Sequence, residues 1–214
     1  MHAVVVYPHP GCRPFSRLRC TALLLLLGLT LCWASSALAA GQAVTATQAA
    51  IHSLSRDGGL PADEVLRQLT RLAAGLESEP AAIRDLARLT EVRALLDVGR
   101  VAEAERLARA MQAQPERAGR PLAWVHAQLA VLRVLLRQSN IKEAFTLARE
   151  ILARREYFER EEVASEVLAA VGSALGRAGE HETAVALFIE GLNAAARSDR
   201  TDQKPYLLIG LYGI

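Results

Sequence analysis

The sequence predicts an all-α protein, an α-solenoid of antiparallel helix hairpins with a period of about 40 residues. Three observations predict it. One phrase returns at fixed spacing: GRVAEAERLARAM from Gly99, SNIKEAFTLAREI from Ser139 and GEHETAVALFIEG from Gly179. An apolar pattern of helical period precedes each copy, over roughly 80–98, 121–138 and 159–177. The composition is rich in Ala, Leu and Arg, and its aromatic share of 5% is low, which favours helix throughout. Neither helix of such a pair can bury its apolar face alone. Stacked neighbours bury a continuous core, and three copies meet the usual minimum.

The elements follow in chain order. Arg13, Arg17 and Arg19 form a basic segment with no acidic residue. The apolar run TALLLLLGLTLCW follows, then ASSALAA, where Ala37 and Ala39 make an A-x-A site. That order describes a secretory signal peptide over 1–39, cleaved after Ala39. The rival is an uncleaved anchor, because residues 21–40 are about long enough to span a bilayer. The expected location is therefore periplasmic or secreted, with inner-membrane anchoring as the alternative. Three of the 25 basic residues leave with the signal, so 22 face 23 acidic groups and the net charge becomes −1. That balance gives no case for nucleic acid. All three cysteines (12, 20 and 32) also lie in the presequence. The mature chain has no disulfide, thiolate metal site or cysteine nucleophile, and its stability must come from apolar packing.

Residues 40–60 read as a linker running into a short helix that ends at Gly58 and Gly59. Residues 61–79 form an N-terminal helix, with Pro61 in its first turn and Val65, Leu66 and Leu69 at helical spacing. Three repeats are expected over 80–120, 121–158 and 159–198. Aligned, their second helices share columns: Gly99, Ser139 and Gly179, then Ala104, Ala144 and Ala184, then Leu107, Leu147 and Leu187. The alanines have a physical reason, since two helices approach closely only where one presents a small side chain. Asn140 and Glu143 have the spacing of a capping box. The acidic run EREE at 159–162 is expected at a helix start, where carboxylates favour the dipole. Residues 199–214 read as the start of a further repeat or a C-terminal cap helix. Tyr206-x2-Ile209-Gly210 repeats the opening of a first helix, and the favoured reading is the front part of a longer protein.

The third copy resembles a tetratricopeptide repeat. Leu168-x2-Val171-Gly172-x2-Leu175 stands where that family has W-x2-L-G-x2-Y, and Ala184-x3-Phe188 stands where it has A-x3-F. The first two copies have Val92 and Leu132 in place of Gly172. The period of 40 also departs from the family's 34, and HEAT-type repeats, nearer 40–47, are the rival.

No H-E-x-x-H, Gly-rich phosphate loop or G-x-S-x-G is present, so no catalytic residue, metal site or cofactor is expected. His52, His126 and His181 stand singly in their segments. One stripe is more informative. His126, Arg133 and Arg137 share a face of a helix that is apolar but for these and Gln128, at spacings of 7 and 11 residues. Arginines are not expected to face a core, so this stripe is expected to face solvent. The tetratricopeptide resemblance implies that first helices line a concave groove for ligands. The equivalent columns add Arg93 and Asp97, then Glu166, Ser173 and Arg177. Arginine forks suit carboxylates on a partner peptide. The bland alternative is a solvated face with internal pairs such as Arg93 with Asp97. The Lys and Asn of the family's carboxylate clamp are mostly absent.

Two functions are expected from these readings. The first is an exported, non-catalytic scaffold that binds a protein or peptide in its groove. The second resembles the layout of membrane-bound diguanylate cyclases and sensor kinases, with this array as the extracytoplasmic sensor of a longer chain. A membrane is a partner only if the signal segment stays or the chain continues past Ile214.

Overall fold

The computed structural model describes residues 46–56, 59–114, 119–198 and 200–213. The signal peptide with Ala37 and Ala39, the start of the linker, Gly58 and Ile214 lie outside them. The described residues are helical, with no strand among them. Helix α1 covers 46–56. It is followed by α2 (Ala62–Leu76), α3 (Ala81–Asp97), α4 (Val101–Gln112), α5 (Pro121–Arg137) and α6 (Ile141–Leu152). Then come α7 (Ala164–Arg177), α8 (His181–Arg197) and α9 (Lys204–Tyr212). Each helix from α2 onward packs on its successor, and α3 also packs on α5, α5 on α7 and α7 on α9.

Two apolar clusters hold this arrangement, and α3 belongs to both. Ile83, Ala87 and Ala94 pack with Ile51 and Leu54 of α1 and Val65 and Leu69 of α2. Leu89, Val92, Leu95 and Leu96 join the larger cluster, which runs through α4–α8 to Leu207 of α9. Partial burial of Leu66 against both clusters makes them continuous. Each fully buried Leu or Ile contributes about 1.5–3 kcal/mol, enough in sum to stabilise a chain without disulfides. Part of the expected linker is therefore a packed element: Ile51 is fully buried and Leu54 nearly so.

The Gly99, Ser139 and Gly179 column is a helix stop. All three have positive φ, at 80°, 58° and 94°. In each case the following N–H reaches back five residues. Arg100 donates to the Leu95 carbonyl at 2.8 Å, Asn140 to Leu135 at 2.9 Å and Glu180 to Leu175 at 2.9 Å. The glycine or serine N–H itself bonds Leu96, Leu136 or Gly176. This is the Schellman motif, formed three times at one spacing, and it turns α3, α5 and α7 tightly into α4, α6 and α8. Ala104, Ala144 and Ala184 are fully buried on the second helices. Asn140 accepts from the Glu143 N–H, but the return half of the box is replaced: the Glu143 carboxylate takes the Asn140 amide at 2.9 Å and Arg109 at 2.9 Å. Arg149, forty residues after Arg109, likewise pairs with a glutamate at the start of the next hairpin's second helix, Glu180.

One local expectation is corrected. EREE does not open a helix. Residues 155–157 form a 3-10 turn and α7 begins at Ala164. The cause is Phe158, which is fully buried and draws the connection inward before the helix starts. Gly210 packs inward on α8, as Gly172 does. A Cβ there would collide with the Phe188 ring, and one at Gly172 would lie 3.2 Å from the same ring. Phe188 of α8 is thus clasped between glycines of α7 and α9. The opposite side of α9 is open: Tyr206 is 60% exposed, Ile209 68% and Tyr212 91%.

Candidate functional site

The C-terminal ends of α3 and α5, one face of α7 from Glu166 to Arg177, and Tyr206, Ile209 and Gly210 of α9 line a cleft of about 650 Å³. Its charged lining is Arg93 and Asp97 from α3, Arg133 and Arg137 from α5, and Glu166 and Arg177 from α7. Six of the seven residues expected in a groove therefore share one cavity. The period explains five of them, because 93 and 133, and 97, 137 and 177, are the same positions of successive first helices; Glu166 lines the cleft although it stands forty residues after His126. Leu136, Ala170, Tyr206 and Ile209 supply apolar lining.

His126 is the exception. It is buried, and it lies beside Asp85 and Arg120 in a separate small depression. It does share the helical face of Arg133 and Arg137. The start of α3 closes over the N-terminal end of that face, so only its C-terminal half opens into the cleft.

The arginines differ in what they already hold. Arg93 donates to the Leu54 carbonyl at 2.9 Å and the Ser55 carbonyl at 2.8 Å, at the end of α1. It does not form the expected ion pair with Asp97, which stays exposed within its electrostatic reach. Burial lowers the Arg93 pKa from its ordinary value, and Glu166 opposes that fall. Arg133 is not a solvent-facing cation: it pairs with Glu166 at 2.6 Å, and both side chains are largely buried. Arg177 donates to the Leu136 carbonyl at 2.8 Å, at the end of α5. Arg93 and Arg177 thus act as caps on the last carbonyls of a neighbouring helix, where a cation is favoured. Arg137 is exposed and has neither a hydrogen bond nor an ion pair among the described residues.

Glu166 is the electrostatic centre. Burial alone would raise its carboxyl pKa. Arg133, Arg93 and Arg200, with a smaller contribution from His126, outweigh burial and hold it below the ordinary 4.5. Arg200 escaped the sequence reading. It follows α8 and is buried, bonds both oxygens of Asp202 at 2.9 and 3.0 Å, and lies 3.7 Å from Glu166. Arg56 at the end of α1 pairs with Glu162, just ahead of α7. The R-x-D spacing of 200–202 hints at the local pair, but no sequence signal joins either arginine to residues 34 or 106 positions away.

No cluster of three or more potential metal ligands occurs among the described residues, and no described helix is long and apolar enough to cross a membrane. The chain matches no family model, no curated protein and no solved structure.

Proposed function

We propose that this protein is an exported, non-catalytic scaffold of tetratricopeptide-like hairpins that holds a protein or peptide partner in the cleft. The observation that carries it is periodic: residues forty apart on α3, α5 and α7 converge on one open cavity of about 650 Å³. A cavity built from equivalent positions of stacked units lengthens along the stack, which suits an extended polypeptide. In the cell, a photo-crosslinking residue at Ser173, in the cleft, is expected to capture a polypeptide. The same residue at Ala110, exposed on α4 outside the cleft, is expected to capture none. Equal adducts from both sites would sink the reading.

A second reading makes this array the extracytoplasmic sensor of a longer, membrane-bound signalling chain. The open side of α9 favours it, because three large apolar residues there remain uncovered. The intact mass of the natural product separates the two. A mass equal to residues 40–214 supports the scaffold and removal of a signal peptide. A larger mass moves the output function elsewhere.

A further inference from the structure

We propose that the cleft selects a peptide segment bearing a side-chain carboxylate beside an aliphatic or aromatic residue, with Arg137 anchoring the carboxylate and Tyr206 and Ile209 receiving the apolar neighbour. This rests on the scaffold reading and narrows it. The argument turns on which charges are already committed. Four arginines face Asp97 and Glu166 around the cleft, so its lining carries a net charge of +2. Arg133 is neutralised by Glu166, and Arg93 is bound to the end of α1. Arg177 spends one N–H on Leu136. Arg137 keeps its whole fork, and a guanidinium fork matches a carboxylate in two parallel hydrogen bonds.

Charge complementarity then limits the occupant. A basic segment meets net repulsion. A wholly apolar one strips water from Arg137 and offers no counter-charge in return. A purely polar one leaves Tyr206 and Ile209 wet, at 60% and 68% exposure. An acid beside an apolar side chain satisfies both ends of the site. Arg133 is not a second anchor: replacing it would leave Glu166 with a weakened partner set and report on folding.

The test probes the whole chain with three sets of short synthetic peptides, acidic–aliphatic, neutral–aliphatic and basic–aliphatic, by fluorescence anisotropy. The acidic–aliphatic set is expected to bind selectively, and its affinity to fall as salt rises from about 0.05 to about 0.5 M. Arg137→Glu should weaken it at least about tenfold with the melting temperature unchanged, and Arg137→Lys should restore it only in part. Ile209→Asp should weaken it independently. Equal binding of the neutral or basic set, indifferent to Arg137→Glu, overturns this proposal and leaves the scaffold reading standing. So does a melting temperature that drops with Arg137→Glu, which would make Arg137 structural. If no set binds, the selectivity falls, and crosslinking from Ser173 still decides whether the cleft holds a partner.

Discussion

Glu166 brings one negative charge among three arginines, and that ratio sets how the cleft responds to acid. Its folded pKa lies below the ordinary 4.5, so the unfolded chain binds the proton more readily. Its stabilising contribution is therefore complete above about 4.5 and is lost as pH falls through the depressed folded value. Wild-type melting temperature should fall steeply on acidification below that point, and Glu166→Gln should flatten the slope. At neutral pH, Glu166→Ala leaves Arg93, Arg133 and Arg200 facing one another and should cost about 3–5 kcal/mol in a denaturant titration. The sequence made the shared face of these residues legible through spacing alone. It could not tell a free arginine from a committed one, because Arg93 reaches 38 and 39 residues back and Arg177 reaches 41.

At the scale of the element, the helix stops can be tested one residue at a time. Ser139 occupies a left-handed position that Gly99 and Gly179 fill without strain. Ser139→Gly should raise stability by about 0.5–1 kcal/mol, because relief of the Cβ clash exceeds the added chain entropy. Ala144 is fully buried where α6 meets its neighbours, and Ala144→Leu should lower stability by about 1–3 kcal/mol through overpacking. Circular dichroism melts of both variants would check the opposite signs. These columns were legible because a turn and a close contact each demand one residue type. The start of α7 was not, since the burial of Phe158 is a tertiary event that local pattern does not encode. Gly210 matches the spacing of Gly172, and both glycines pack on Phe188.

At the scale of the molecule, the all-helical content of the described residues and the sequential packing of their hairpins were visible in composition and period. The second, smaller cluster was not, because Ile51 and Leu54 lie in a weakly periodic stretch. That cluster, the Arg93 bonds and the Arg56–Glu162 pair hold α1 in place. Arg93→Ala should speed amide hydrogen exchange in residues 46–56 while leaving α6 and α8 unchanged. Uniform acceleration across all helices would show instead that Arg93 supports the larger core.

The contacts at the end of α1 also bear on how the protein yields to force. A row of hairpins joined only to their neighbours behaves as a soft spring, and its curvature changes at small cost. Here Arg93 grips the last carbonyls of α1, while Arg56 reaches Glu162 beside α7. Helix α1 is therefore tied both to α3 and to the segment ahead of α7. Pulling α1 away from the later helices would load those polar ties together with the packing of Ile51 and Leu54.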